Sequence, residues 1–219
     1  MAMNFEQARL NMVENQVRPW EVLDGRVLDV IGRVRREDFV AAEHRQLAFA
    51  DLCLPLGHGE VMMKPVVEGR VLQALELQPT DRVLEIGTGS GFLTACLAGL
   101  SAHVTSVDIQ ADFTTAAAQR LQAARVANVN LVTGEAVGDW QPDEQFDALV
   151  VTGAVATIPP RWLGWLKPDG RAVIVRGKSP VQHATLLTLE GEGRFREETL
   201  FETDLPYLKH AEPLQPFVL

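Results

Sequence analysis

The stretch Val83-Leu84-Glu85-Ile86-Gly87-Thr88-Gly89-Ser90-Gly91 decides the fold of this chain. Apolar residues on both sides of one acid predict a buried strand, and three glycines at alternate positions predict a tight turn directly after it. An apolar run then predicts a helix over residues 90–99. Glycine has no Cβ and adopts positive φ, so a ligand can lie against this backbone near the free N–H groups of the helix N-terminus. Open α/β sheets bind nucleotide-like ligands at such a strand–turn–helix unit.

The spacing of the glycines indicates which ligand the turn binds. It is G-x-G-x-G rather than the G-x-G-x-x-G of dinucleotide folds, and no Gly-Lys-Ser/Thr follows as in a phosphate-binding loop. Glu85 lies two residues before the first glycine. Asp108 ends the next predicted strand, 17 residues after Gly91, where an acid can accept the hydroxyls of a ribose. The combination resembles the S-adenosylmethionine (SAM) site of Rossmann-like methyltransferases, and SAM carries no phosphate.

This resemblance assigns roles to polar side chains at the carboxyl ends of the predicted strands. It implies that Glu85 accepts from the ammonium group of SAM, that Asp108 binds the ribose and that Glu135 meets the adenine edge. Thr152, after the fourth strand of the predicted sheet, is expected to line the methyl-transfer site. The predicted cofactor-binding set is Glu85, Gly87, Thr88, Gly89, Ser90, Gly91, Asp108, Ile109 and Glu135.

Each of these assignments has a structural alternative. Backbone N–H groups at the strand end can hold Glu85, and Asp108 can cap the helix predicted over residues 111–125. Glu135 can lie in a solvated turn. Gly153 can be required only by the backbone of the turn after its strand. The sequence leaves these alternatives open.

Length and composition fit one globular domain. With 219 residues, of which 47% are hydrophobic and 22% charged, the chain can bury a sizeable core. We expect a single methyltransferase domain over residues 1–219. Within it, residues 1–78 are predicted to form an N-terminal helical and substrate-side extension, and residues 79–219 the SAM-binding sheet core.

Charge and cysteine content disfavour several classes of function. A net charge of −9 argues against DNA or RNA as the main partner, because phosphate binding needs a basic surface. The five histidines and two cysteines show no metal-ligand spacing, so no metal is expected. No apolar run reaches the ~20 residues of a membrane span, and no signal peptide is evident. These features predict a cytoplasmic protein with free thiols and no membrane partner.

The alternation of strand and helix patterns predicts a mostly parallel sheet with helices on both faces. Strands are predicted at 82–86, 103–107, 129–133, 146–151 and 171–176, and helices at 90–99, 111–125 and 159–166. Residues 183–190 and 195–202 alternate in hydrophobicity, which predicts a C-terminal hairpin antiparallel to the other strands. Before the sheet, the pattern predicts helices at 4–18 and 22–36, a structured irregular segment at 37–65 and a helix that begins at Pro65.

Motifs outside the general SAM-binding fold narrow the resemblance. They are Met12-Val13-Glu14-Asn15-Gln16, Val34-Arg35-Arg36-Glu37-Asp38-Phe39-Val40, Ala48-Phe49-Ala50-Asp51 and Leu54-Pro55-Leu56-Gly57-His58-Gly59. The glycine turn with Phe92, the run 146–152, Ile158-Pro159 and the run 166–171 extend the match. Over most of residues 12–177 the chain resembles the protein-L-isoaspartate O-methyltransferases.

The resemblance implies an α/β, Rossmann-like methyltransferase fold and a protein-repair activity. Members of this family methylate the abnormal α-carboxylate of an isoaspartyl residue, and the ester cyclises to a succinimide that can reopen to aspartate. The resemblance therefore implies SAM as cofactor and isoaspartyl-containing peptides or proteins as substrates. It leaves the oligomeric state open.

One motif departs from the family. Where the family has Thr-Ile-Ser-Gln-Pro, with a serine thought to hold the substrate carboxylate, this chain has Val61-Met62-Met63-Lys64-Pro65. A thioether cannot donate a hydrogen bond, so Met63 cannot hold the carboxylate as serine does. Lys64 either supplies a positive charge instead or is a solvent-facing lysine at a helix start. Met63, Lys64 and Thr152 are the predicted catalytic positions.

The reaction tolerates this departure. A carboxylate with a pKa near ~4 is already ionised at pH 7 and needs no general base. Alignment of donor and acceptor can then supply most of the catalysis. We therefore expect methyl transfer to isoaspartyl carboxylates, and Met63 keeps two alternatives open, a different methyl acceptor and a non-catalytic SAM-binding role.

Overall fold

The strand that leads into the glycine turn is an interior strand, third from one edge, of a seven-stranded sheet. The structure is a computed structural model that describes residues 3–191 and 193–214. The strands, in chain order, are β1 (Leu54–Gly57), β2 (Glu60–Met62), β3 (Arg82–Ile86), β4 (His103–Asp108), β5 (Val129–Thr133), β6 (Phe146–Val155), β7 (Leu166–Lys178), β8 (Val181–Glu190) and β9 (Arg194–Thr203). The α-helices are α1 (Phe5–Met12), α2 (Gly25–Arg33), α3 (Pro65–Ala74), α4 (Phe92–Ala98), α5 (Ala111–Ala123) and α6 (Pro160–Leu163).

The large sheet has the spatial order β5-β4-β3-β6-β7-β8-β9. The strands from β5 to β7 are parallel, β8 is antiparallel to β7, and β9 is antiparallel to β8. The predicted α/β fold with a C-terminal antiparallel hairpin is confirmed, although β9 itself runs in the direction of the parallel strands. The strand order reverses beside β3, because β4 and β5 lie on one side of it and β6 on the other. Ligands of open α/β sheets bind at such a switch point.

Alternating side chains of the central strands fill two cores, one on each face of the sheet. Val83 and Val150 belong to one core, and Leu84 and Leu149 belong to the other. Successive residues of a strand point to opposite faces, so a strand with helices on both sides is apolar throughout. The first core also contains Ile31 of α2, so the N-terminal segment packs directly on the sheet.

Both predicted N-terminal helices exist, but their α-helical parts are shorter than predicted. α1 follows Asn4, whose side chain accepts a hydrogen bond from Gln7 N at 3.1 Å. Where the sequence predicts one helix to residue 18, the α-helix ends at Met12 and the chain continues as a π-helical turn, Val13–Val17. α2 lies within the predicted range 22–36.

The segment predicted to be irregular, residues 37–65, contains the hairpin of β1 and β2. Its turn has positive φ at three successive residues, Gly57, His58 and Gly59. A Cβ on Gly89 would lie 3.0 Å from Leu56 Cδ1, so this hairpin packs directly on the glycine turn. Its strands have only four and three residues, which is too few for a visible alternation of apolar and polar positions. After it, α3 begins at Pro65 as predicted.

The boundary between α6 and β7 differs from the prediction. The helix predicted at 159–166 is only the four-residue α6, and β7 begins at Leu166 rather than at residue 171. The register between β6 and β7 shifts shortly after Leu166. The run Pro168-Asp169-Gly170 lies at this irregularity, and such turn-forming residues hide the start of the strand in the sequence.

Two general properties of the described residues bear on function. None of their helices combines the length and the hydropathy that crossing a membrane requires. No three metal-ligating side chains among them come together in a possible metal site.

Candidate active site

The turn after β3 has an unusual backbone at three positions. Gly87, Gly89 and Gly91 have φ values of 97°, 50° and 84°. A Cβ on Gly87 would overlap Oγ1 of Thr152 in β6. Thr152 donates a hydrogen bond from that hydroxyl to Gly87 O at 2.7 Å. Glycine is therefore required at residue 87, and Thr152, a predicted catalytic residue, uses its hydroxyl proton to hold the turn.

Glu85 is fully buried beneath this turn, within a network of hydroxyl groups. Its Oε2 accepts hydrogen bonds from Thr94 Oγ1 at 2.5 Å and from Ser106 Oγ at 2.6 Å. Thr88 Oγ1 lies 2.6 Å from Ser106 Oγ and donates to it, because the Ser106 proton is directed to Glu85. The predicted cofactor residue Thr88 therefore also supports Glu85 through Ser106.

The other oxygen of Glu85, Oε1, is buried and has no hydrogen-bond partner among the described residues. Burial raises the pKa of Glu85 to about 8, and the two hydroxyl donors partly oppose this shift. A buried acceptor without a donor costs free energy, so this atom fits a ligand that brings a donor, such as an ammonium group. Its environment suits the role that the sequence predicts for Glu85.

Asp108, at the end of β4, holds the backbone on two sides. Its Oδ2 accepts from Gly89 N and its Oδ1 from Gln110 N, both at 2.9 Å. Burial raises the pKa of Asp108, and these two N–H groups act in the opposite direction. A carboxylate has about four acceptor sites, so two remain for hydroxyl groups of a ligand. Gln110, rather than Asp108, occupies the N-cap position of α5.

Ile109 and Glu135 lie at the end of the site beyond Asp108. Ile109 is 36% exposed and presents an apolar surface there. Glu135 Oε1 lies 2.5 Å from Nδ1 of His210, in the segment after β9. The sequence predicts no contact between these two residues, which are 75 positions apart.

These residues line one crevice at the carboxyl ends of β3, β4 and β6. The space between these residues is about 630 Å³, a volume that includes open solvent at its entrance. The crevice brings together five of the predicted cofactor residues and one predicted catalytic residue: Gly87, Gly89, Asp108, Ile109, Glu135 and Thr152.

A smaller cavity adjoins the crevice and shares Gly87, Gly89 and Thr152 with it. Its other walls include three predicted cofactor residues, Glu85, Thr88 and Ser90. They also include Met62 and Met63, from the motif that differs from the family's sequence. Both methionines are buried.

Two predicted site residues are not among the walls of either space. Lys64 occupies the N-cap position of α3, and Gly91 that of α4.

A buried ion pair that the sequence does not predict fixes the backbone of Met63. Arg36 pairs with Glu68 of α3, and neither side chain is accessible beyond 3%. Arg36 also donates from Nη2 to Met63 O at 2.7 Å and from Nε to Ala48 O at 2.8 Å. Burial raises the pKa of Glu68 to about 7, against the charge of Arg36. The sequence gives one sign of this pair, because the acid Glu68 follows Val67 in a helix whose pattern is otherwise apolar there.

The segment after β9, which we call the tail (residues 204–214), crosses the crevice. Leu208 N donates to Ala154 O at 2.9 Å, and Ala154 N donates to Pro206 O at 2.9 Å. Lys209 Nζ donates to His58 O in the β1–β2 turn at 3.1 Å. The tail thus connects the end of β6 with the β1–β2 hairpin. No local pattern in the sequence indicates these contacts, because their partners are far apart along the chain.

Known proteins are similar to this chain over most of its length. A family model described as protein-L-isoaspartate(D-aspartate) O-methyltransferase matches residues 7–205. Protein-L-isoaspartate O-methyltransferase 1 of Polaromonas sp. is 36% identical over 192 residues, which cover 88% of this chain and 81% of that protein. A protein-L-isoaspartate O-methyltransferase of Myxococcus xanthus is 40% identical over 156 residues, or 71% of this chain and 74% of that protein.

Solved structures agree with the fold. A Plasmodium falciparum protein in complex with S-adenosyl-L-homocysteine superposes with a TM-score of 0.80 at 18% identity, covering 95% of this chain and 99% of that chain. A protein-L-isoaspartate O-methyltransferase superposes with a TM-score of 0.79 at 21% identity, covering 91% of this chain and 65% of that chain. Because the family model spans nearly the whole sequence and relatives at 36% identity align over most of it, the chain belongs to the protein-L-isoaspartate O-methyltransferase family.

Proposed function

We propose that this protein transfers a methyl group from SAM to the α-carboxylate of L-isoaspartyl residues and thereby initiates the repair of damaged proteins. The observation that carries the proposal is the buried Oε1 of Glu85, which has no hydrogen-bond partner within residues 3–191 and 193–214. It lies next to the crevice of a chain that belongs to this family. An acceptor atom in that position is costly unless a ligand donor satisfies it.

The residues present fit SAM, which supplies an electrophilic methyl group on a sulfonium. Glu85 would accept from its ammonium group, and Asp108 would accept from the ribose hydroxyls. Ile109 would pack against the adenine, and Glu135 would lie at its edge. The remaining predicted contacts come from the turn that links β3 to α4, namely Gly87, Thr88, Gly89, Ser90 and Gly91.

Positioning, rather than proton transfer, is the task of the protein in this reaction. The acceptor carboxylate is ionised at neutral pH, so no side chain has to remove a proton. Thr152 holds the turn at Gly87 through its hydrogen bond, and the Arg36–Glu68 pair holds the backbone of Met63. Both sides of the cavity next to the crevice are therefore fixed before a ligand binds, which lowers the entropic cost of alignment.

The second candidate function is SAM-dependent transfer to a different acceptor. It is favoured by one observation, the two buried methionines in the cavity wall where the family has a serine at residue 63. An apolar wall suits an acceptor with less charge than a carboxylate. A non-catalytic SAM-binding role remains the third outcome of the test.

The test is incubation with methyl-labelled SAM and an isoaspartyl peptide, beside the same peptide with normal aspartate. The proposal predicts label in the isoaspartyl peptide alone. Tight SAM binding without transfer to either peptide would reject repair as the function. The Met63→Ser variant is tested beside the wild type. Activity in that variant alone would show that the protein has lost the repair activity through the change at residue 63.

We propose further that residues 1–219 form one methyltransferase domain, because the N-terminal helices and the sheet share a core.

We also propose that the protein acts in the cytoplasm, which its two free cysteines support. A net charge of −9 favours protein substrates over nucleic acids.

A further inference from the structure

The donor crevice and the adjoining cavity have acidic walls. Their titratable side chains include five carboxyl groups, those of Glu60, Glu68, Glu85, Asp108 and Glu135. Acidic walls suit a sulfonium donor but repel an acceptor that is itself a carboxylate. An acceptor of this kind needs a cation or hydrogen-bond donors at the crevice, and Met63 does not supply them.

Only one lysine or arginine lies among the described residues that line these two spaces, and it is Lys209 of the tail. Lys64 is not a wall residue, and the guanidinium of Arg36 is already engaged by Glu68, Ala48 O and Met63 O. Among the described wall residues, Lys209 is therefore the cation available to an acceptor that approaches the bound donor.

The backbone of the tail holds Lys209 in place. The preceding residue, Leu208, bonds to Ala154 O at 2.9 Å and packs on Gly153, where a Cβ would lie 2.8 Å from Leu208 Cδ2. The ammonium group of Lys209 is 3.1 Å from His58 O and 3.4 Å from Glu60 Oε1. The side chain of Lys209 is 40% exposed, so it remains accessible to a ligand.

We propose that Lys209 binds the carboxylate of the methyl acceptor, from a wall of the crevice rather than from the position of Met63. The inference rests on the proposed function. An ammonium group has three donors, so Lys209 can keep its bond to His58 O while it binds a carboxylate. Its ion pair with Glu60 is partly exposed and therefore weak, so an incoming carboxylate can replace Glu60 as its partner.

The experiment measures binding of two peptides in the presence of S-adenosyl-L-homocysteine. One contains isoaspartate, and the other carries a carboxamide in place of the isoaspartyl α-carboxylate. The wild type is expected to bind the carboxylate peptide about 10- to 100-fold more tightly. Lys209→Gln should lose most of this preference and should raise the KM of methyl transfer more than it lowers kcat. Lys209→Arg should retain part of the preference, because the charge remains.

The matched control is Lys178→Gln, which removes the same charge from an exposed lysine at the end of β7 that lines neither space. It should leave the peptide preference unchanged. Peptide affinities of all variants are compared at saturating S-adenosyl-L-homocysteine, because Lys209 also lines the donor crevice. An active wild type whose preference survives in Lys209→Gln overturns the role of Lys209 and leaves the proposed function standing. A wild type that neither prefers the carboxylate peptide nor methylates it overturns both.

Discussion

Glu85 is the residue whose protonation state links the donor site to pH. Its carboxyl group has a pKa of about 8 because it is fully buried, with two hydroxyl donors as partial compensation. A positive charge placed beside Oε1 would favour the ionised form and lower this pKa. Ligand binding and deprotonation of Glu85 should therefore be coupled.

This coupling predicts proton release when SAM binds. At pH 7 most Glu85 side chains carry a proton, and the ammonium group of SAM would displace it. Calorimetry in two buffers with different ionisation enthalpies should therefore give different binding enthalpies for the wild type. Glu85→Gln is neutral at every pH, so its binding should be weaker and its enthalpy nearly independent of the buffer. Equal buffer dependence in both proteins would show that Glu85 does not contact the ammonium group.

At the scale of single elements, the start of α3 depends on the Arg36–Glu68 pair. Arg36 links Ala48 O, Met63 O and Glu68, which come from three separate parts of the N-terminal segment. Its guanidinium group also lies 4.6 Å from the centre of the Phe92 ring in α4. One buried side chain thus connects the irregular segment, the cavity wall and the helix that follows the glycine turn.

Removal of Arg36 alone should therefore be strongly destabilising. Arg36→Met leaves Glu68 buried without a partner, and we expect a loss of about 3–5 kcal/mol in the free energy of unfolding. Urea denaturation measures this loss. The double variant Arg36→Met/Glu68→Leu, which buries no unpaired charge, should recover part of it. If the double variant is less stable than Arg36→Met, the pair does not act as a unit.

The sequence predicts the elements whose patterns are local. β3 and β5 have the predicted bounds, because each has three apolar residues among its five and a turn-forming glycine directly after it. The β1–β2 hairpin is not predicted, because its strands are too short to show an alternating pattern. The packing of Leu56 on Gly89, a long-range contact, helps to position it instead. The start of β7 is hidden by a bulge with Pro168 and Gly170, residues that typically end a strand.

The same limit applies to the candidate site. Glu85, Asp108 and Thr152 can be found from sequence because they follow strands or flank the glycine turn. Ser106 and Thr94 support Glu85 from other elements, and a polar residue in a buried strand is at most a weak signal. Lys209 reaches the crevice only because the tail folds back over β6, and such long-range contacts leave no periodic pattern.

For the whole molecule, the buried acid Glu85 on the interior strand β3 predicts how stability varies with pH. Glu85 has a pKa near 4.5 in the unfolded chain and about 8 in the folded protein, so the folded state binds its proton more tightly. Its contribution to stability is fully present below about pH 4.5 and is lost as the pH rises towards 8, by up to ~1.4 kcal/mol per pH unit.

Thermal denaturation between pH 5 and pH 8 tests this contribution. The wild type should lose stability as the pH rises through this range, and Glu85→Gln should lose less because its amide does not titrate. Saturating S-adenosyl-L-homocysteine, which carries an ammonium group, should also reduce the loss in the wild type. A melting temperature with the same pH dependence in both proteins would mean that Glu85 is ionised throughout this range.

The most direct test of the central claim is the chemical nature of the methyl group that the protein transfers. After reaction with methyl-labelled SAM, the account predicts label in an isoaspartyl peptide as an ester, released as volatile methanol by mild base, and none in the aspartyl control. Label that resists base, or label in both peptides alike, would contradict methyl transfer to the isoaspartyl carboxylate.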